Sequence, residues 1–176
     1  MTDYILRLAK PEDASAILEY IKQIADEPNN GISLSSSAEV TATEETLRER
    51  IQSQLDADNR LSVLAVDRHG QIIGRVNCDP SGPRGYLHSV SLGITVHRDW
   101  RDKGVGSALM RYVLDWCADN PTIKRIELDV FTNNPRAIHV YEKFGFVREG
   151  VRRSVYYKYG EFLDLLHMGI VYERDI

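Results

Sequence analysis

The chain has 176 residues, 43% of them hydrophobic, which is the size and apolar content of one ordinary globular domain with a full core. A formal net charge of -4, with both signs interspersed, argues against a nucleic-acid-binding module of the usual strongly basic kind. The sequence shows no N-terminal apolar run of signal length and no apolar stretch of membrane-spanning length, so the expectation is a single cytoplasmic domain over residues 1–176 with neither membrane nor nucleic acid as a partner.

Tyr4 to Leu8 reads as a short strand. Pro11-Glu12-Asp13 then supplies a first-turn proline and early acids, and Ala14, Ile17, Leu18, Ile21 and Ala25 recur at the spacing of one helix face. From Glu27 to Thr43 the chain is rich in Pro, Asn, Gly and Ser without a period of its own, which marks a functional loop and a plausible rim for a substrate. Glu44 to Leu55 reads as a second helix burying Leu47, Ile51 and Leu55. Leu61 to Asp67 and Gln71 to Asp79 form a hairpin about Arg68-His69-Gly70, and after the loop Pro80 to Gly85 the chain returns as a strand from Tyr86 to Val96. Gly93 inside that strand is expected to mark a bulge or a close backbone approach. Cys78 and Cys117 fall on a strand and on an apolar helix side with no metal-ligand spacing around them, so both read as core thiols.

Between Val96 and Ser107 strand changes to helix across Arg101-Asp-Lys-Gly104-Val-Gly106. Val105, Leu109, Val113 and Trp116 then share one side of the helix. Glycines at a helix start let a ligand approach the main chain, and the first-turn N–H groups with the positive end of the helix dipole favour a phosphate or diphosphate. A Walker A loop is excluded because Gly106 is followed by Ser107 and not by lysine. A dinucleotide fingerprint is excluded because the third glycine position holds Leu109.

Ile126, Leu128 and Val130 alternate in a fifth strand. Asn134 to Phe144 reads as a helix capped by Asn134, opened by Pro135 and stopped by Gly145, with Asn134 and Tyr141 two turns apart on one face. Strand resumes from Phe146, turns over Lys158-Tyr-Gly-Glu161, and returns from Leu163 to Tyr172. The element order gives a mixed α/β single domain, its first four strands largely antiparallel and a crossover helix between the fourth and fifth.

Arg101-x-x-Gly104-x-Gly106 after a long strand, followed by Asn134-x-x-Ala137-x-x-x-Tyr141-x-x-x-Gly145-Phe146, closely resembles the two motifs of the GNAT superfamily of N-acetyltransferases. The specific match runs from Leu87 to about Gly150, and the Gly160-Glu-Phe-Leu-Asp164 tail resembles the branch of amino-acid, antibiotic-amine and ribosomal-protein N-terminal acetyltransferases. The resemblance implies an α+β GNAT-like fold, with a central mixed, mostly antiparallel sheet of about seven strands flanked by about four helices. It also implies a splay between the two central parallel strands, acetyl-CoA as co-substrate without a metal, and a homodimer. By family position, the Ile94 N–H would bond the acetyl carbonyl, Val96 and Asn134 would meet the pantetheine arm, and Arg101, Lys103, Gly104, Val105, Gly106 and Ser107 would hold the diphosphate.

An attacking amine has to be neutral, which at pH 7 costs about 1.4 kcal/mol for an α-amino group and about 4.6 kcal/mol for a lysine-like amine. Tyr141 occupies the family's donor position for the leaving thiolate. Many members place a glutamate on the fourth strand where this chain has Val90, so His88, two residues earlier on the same strand face, is the expected base, with Glu27 and Glu39 as rivals. Arg148, Arg152, Arg153 and Lys158 read as a solvated strand face, with contact to a substrate carboxylate as the alternative. Arg136 and Lys143 are either surface charges or partners of the CoA 3'-phosphate. The expected function is acetyl transfer to a primary amine of a small molecule such as an amino acid. Acetylation of a protein N-terminus and non-catalytic acyl-CoA sensing are the alternatives.

Overall fold

The computed structural model describes residues 3–173. In chain order its elements are β1 (Tyr4–Leu8), α1 (Ala14–Asp26), α2 (Glu44–Leu55), β2 (Leu61–Asp67), β3 (Ile72–Pro80), β4 (Ser89–Val96), α3 (Val105–Asp119), β5 (Arg125–Phe131), α4 (Pro135–Lys143), β6 (Val147–Lys158) and β7 (Glu161–Val171). The strands form one sheet in the order β1-β2-β3-β4-β5-β7-β6. β4 and β5 run parallel, joined by α3 as the crossover, and every other neighbouring pair is antiparallel.

Period-2 alternation assigns the two faces of the sheet. Val63, Ala65, Val76, Cys78, Val90, Ile126, Leu128, Val130, Leu166 and Met168 point to one side and close on Val105, Leu109, Met110, Val113 and Cys117 of α3. This core crosses both halves of the sheet. Leu64 and Val66 point the other way and meet Ala14 and Ile17 of α1 and Leu47 and Ile51 of α2, so the second cluster lies under the β1–β3 side only. At about 1.5–3 kcal/mol for each large apolar side chain taken from water, the α3 face is the larger contribution.

Three expectations are corrected. The strand foreseen from Tyr86 begins at Ser89, because Arg84–Tyr86 close a 3-10 turn in which the Tyr86 N–H donates to the Pro83 carbonyl at 2.7 Å. Leu55, foreseen on the buried side of α2, is exposed. Gly93 is no bulge, since it pairs with Asn77 in unbroken register. It is the close approach that was the other option: a Cβ there would lie 3.2 Å from Asn77 Oδ1. Both cysteines are buried and unbridged, and burial pushes the Cys78 thiol well above its ordinary value. No helix among the described residues is long and apolar enough to cross a membrane.

Candidate active site

β4 and β5 hold together through only three residue pairs, Ser89↔Arg125, Val90↔Ile126 and Ser91↔Glu127, and then part. The alternation of main-chain groups along a strand decides what faces the gap. His97 N–H donates to Ile73 of β3 at 2.9 Å, so odd-numbered residues of β4 turn their N–H toward β3. Ile94 and Val96 therefore turn theirs into the opening. On the opposite wall Thr132 N–H donates to Asp164 of β7 at 3.0 Å, which leaves the main chain of Asp129 and Phe131 facing the gap. The result is a cleft of about 690 Å³ between residues 93–96 and 129–131, roofed by residues 29–33.

One end of the cleft meets α3. Gly104 is its N-cap, with φ +81°, a left-handed conformation that only glycine adopts without strain. The helical ladder starts with Ala108 N–H donating to the Gly104 carbonyl at 2.9 Å, so the N–H groups of Val105, Gly106 and Ser107 have no intrahelical acceptor. Gly106 lines the cleft, and a Cβ there would stand 3.5 Å from Val96 Cγ2. The charged residues of the loop are engaged differently from expectation. Arg101 lines the cleft, but its Nε donates to the Val96 carbonyl at 3.1 Å and its Nη2 is paired with Glu27. Lys103 Nζ lies over the Trp100 ring, 5.1 Å from its centre.

α4 presents the second motif. Asn134 Oδ1 accepts from the Ala137 N–H at 3.2 Å, Pro135 occupies the first turn, and Gly145 at φ +93° ends the helix as Phe146 N–H donates to the Tyr141 carbonyl at 3.1 Å. Asn134, Ala137 and Tyr141 line the cleft. The Tyr141 ring packs edge-on against Phe146 at 5.9 Å between centres, and burial pushes its phenol up to about 12. Arg136 is ion-paired with Asp102 at 2.6 Å.

The roof is tied down from two directions. Buried Glu27, at the end of α1, accepts from the Arg98 N–H at 3.0 Å and from Arg101. Tyr20 Oη is 3.1 Å from Thr95 Oγ1, which joins α1 to β4 directly. Lys158 Nζ donates to Asn30 Oδ1 at 2.7 Å and to the carbonyls of Ile32 at 2.6 Å and Leu34 at 2.9 Å. The sequence alone places this residue on a solvated basic strand face. It is 5% exposed and organises the rim instead.

The expected bases do not fit. His88 stands in the exposed turn before β4, outside the cleft, because the strand begins one residue later and the His88 carbonyl is used to seat Lys124 and Arg125. Neither Glu27, buried against Arg101, nor Glu39, whose Oε2 accepts from the Ser35 N–H at 3.1 Å within its own loop, lines the cleft. The acid that does line the cleft is Asp129, which sequence reasoning passed over. Extending the β4–β5 register past Ser91↔Glu127 sets Asp129 opposite Gly93 across the gap, on the sheet face that carries α1. The alternation Glu127, Asp129 against Leu128, Val130 was the available signal.

The description "Acetyltransferase (GNAT) family" matches residues 18–146, well over half of the chain. The protein belongs to the GNAT acetyltransferase family. Among GNAT relatives, the L-amino acid N-acetyltransferase AaaT of Escherichia coli (strain K12) is 36% identical over 102 residues, spanning 58% of this chain and 63% of that protein. The match thus covers less than two thirds of that relative. The acetyltransferase of GNAT family from Streptococcus pneumoniae superposes with a TM-score of 0.89 at 28% identity, over 97% of this chain and 99% of that one. A GNAT superfamily phosphinothricin acetyltransferase from Sinorhizobium meliloti, solved in complex with AcCoA, has the same fold, with a TM-score of 0.81 at 23% identity over 98% and 89% of the two chains.

Proposed function

We propose that this GNAT protein moves an acetyl group from acetyl-CoA to the primary amine of a small molecule, an amino acid or related compound, by direct attack within a ternary complex. The observation that carries the reading is the opening between β4 and β5, into which the Ile94 and Val96 N–H groups point and at whose end α3 offers three unpaired N–H groups. That combination suits a ligand with an extended amide arm and a diphosphate. The relative AaaT, named for L-amino acids, supports the choice of acceptor.

Bound acetyl-CoA supplies the thioester carbonyl that is attacked and the thiolate that leaves. The N–H groups of Val105, Gly106 and Ser107 hold the diphosphate at the positive end of α3, with Arg101 and Lys103 bordering it. Val96 N–H and Asn134 hold the pantetheine arm. Ile94 N–H donates to the carbonyl oxygen as negative charge develops on it, which lowers the barrier more than it stabilises the ground state. Asp129, across the gap from Gly93, draws the substrate ammonium toward the carbonyl carbon and takes its proton. Tyr141, protonated at neutral pH, delivers its phenolic proton to the departing sulfur and is reprotonated by the second proton that the nitrogen gives up on becoming an amide.

Release of CoA thiol, measured with acetyl-CoA against amino acids, polyamines, aminoglycosides and peptides bearing a free N-terminus, tests the reading. Turnover is expected with amino acids. CoA binding without turnover on any amine would replace the enzyme by a sensor, and turnover confined to the peptides would replace the small acceptor by a protein N-terminus.

A further inference from the structure

The β5–β7 register places Asp129 directly opposite His167, and the two side chains meet on the open face of the sheet with Nδ1 of the ring 2.9 Å from Asp129 Oδ1. His167 does not touch the cleft. Behind it, ring Nε2 lies 3.6 Å from Glu127 Oε2, 3.5 Å from Glu149 Oε2 and 3.3 Å from Arg125 Nη2. The groups facing the ring are therefore Arg125, Glu127 and Asp129 from β5 and Glu149 from β6, with Arg152 of β6 paired to the far oxygen of Asp129. The ring side chain is 32% exposed, and its Nδ1 is held by a residue of the cleft.

From this row, Gly93, gap, Asp129, His167, the geometry points to His167 as the outlet for the proton that acetylation must remove from the amine. The inference rests on the proposed function and names how its base is reset. The ammonium gives one proton to the Asp129 carboxylate. Oδ1 passes a proton to Nδ1 of the neutral ring, restoring the carboxylate and forming an imidazolium. Nε2 then releases a proton to water, which leaves the ring as its Nδ1–H tautomer, and proton exchange with water returns it to the Nε2–H form before the next turnover, so that one proton leaves the substrate and one reaches solvent. Each state of the ring has a neighbour of suitable charge: the imidazolium lies within ion-pair distance of Glu127 and Glu149, and bare Nε2 accepts from Arg125. His167 is thus a positioning and relay residue, acting through Asp129.

His167→Asn retains an amide N–H for Asp129 and cannot titrate. The expected result is a fall in kcat of about tenfold or more at neutral pH, an unchanged KM for acetyl-CoA, loss of the acid limb of the kcat/KM profile, and partial recovery with added imidazole. A kcat within twofold of the unsubstituted enzyme with the same pH profile would overturn the relay. A second measurement does not need turnover: the His167 ring nitrogens are followed by NMR in the full chain and in Asp129→Asn. The Nδ1 resonance moves in the variant if the two side chains are hydrogen-bonded, and an unmoved Nδ1 overturns the inference even if the wild-type chain acetylates its amine. A wild-type chain that turns over no amine refutes the function, while the Nδ1 resonance still decides the coupling.

Discussion

The carboxylate of Glu27 holds the guanidinium of Arg101 beside the cleft, which ties the end of α1 to the loop that opens α3. Glu27 is almost wholly buried and Arg101 about two thirds so. Removing one partner of such a pair strands the other charge, which costs about 3–5 kcal/mol when both are fully buried and less here because Arg101 reaches solvent. Glu27→Ala is expected to destabilise the protein by about 2 kcal/mol in urea titration and to raise the KM for acetyl-CoA, since the 98–101 turn loses both of its tethers to Glu27.

Gly104 and Gly106 separate backbone strain from ligand approach. Gly104→Ala meets no neighbouring atom but forces alanine to φ +81°, and is expected to cost about 1–2 kcal/mol of stability. Gly106→Val has a helical backbone and room for its Cβ at ordinary contact distance, so folding is expected to survive. The branches then stand among the N–H groups offered to the diphosphate, raising the KM for acetyl-CoA about tenfold or more. Thermal melting and steady-state kinetics on both variants check the split.

What sequence alone could reach was whatever is encoded locally. The glycine junction, the Asn134 cap and the alternation of β5 involve neighbours within one or two turns, and each is found where its spacing placed it. Roles set by partners far along the chain were misread. Glu27 looked like a loop base because Arg101 is 74 positions away, and Lys158 looked solvated because Asn30 is 128 positions away. Asp129 and His167 meet only through the pairing of β5 with β7, and no local period announces that register. His88 failed for a smaller reason, a 3-10 turn after Pro83 that delays the start of β4.

Lys158 is predicted to act on the acceptor side alone. Lys158→Met removes the donor shared by Asn30 Oδ1 and two carbonyls of the roof; Asn30 Oδ1 keeps the Ile32 N–H and the Leu34 carbonyl keeps Asn30 Nδ2, while the Ile32 carbonyl is left facing an apolar chain. Loss of about 2–4 kcal/mol is expected, together with a KM for the amine that rises more than the KM for acetyl-CoA.

Tyr141 governs the alkaline side. Its phenol, pushed up to about 12 by burial, remains protonated throughout the neutral range, so no alkaline limb below about pH 11 belongs to it. Tyr141→Phe should lower kcat about 10²-fold while leaving the Kd for acetyl-CoA unchanged. The same shift has a sign for stability: the folded chain keeps a proton that the unfolded chain releases near pH 10, so stability falls as pH rises from about 10 through the folded value. Tyr20, raised by burial as well, adds to the loss. Denaturant melts between pH 9 and 12, about the range set by the two states, measure it.

Acid should act through carboxylates held in their charged form. Arg7 holds Asp13 below its ordinary value through two hydrogen bonds of 2.7 Å, and Arg125 does the same for Glu149. Their contribution is full above about pH 4 and is lost as pH falls through the lowered folded values. The melting temperature is expected to hold at pH 5 and drop steeply toward about pH 2, with Arg7→Met flattening that drop.

An open sheet ordinarily has two borders, but the parting of β4 from β5 after three rungs gives this one four. Unpaired strand borders on the outside of a protein invite other chains to add to them. The inner pair cannot be reached that way, because residues 29–33 arch over the gap and Gly31 passes so close to Asn134 that a Cβ there would lie 3.1 Å from its amide. Hydrogen-bonding capacity that would be an aggregation hazard at the periphery is kept indoors, where a guest slender enough to slide in lengthwise can use it.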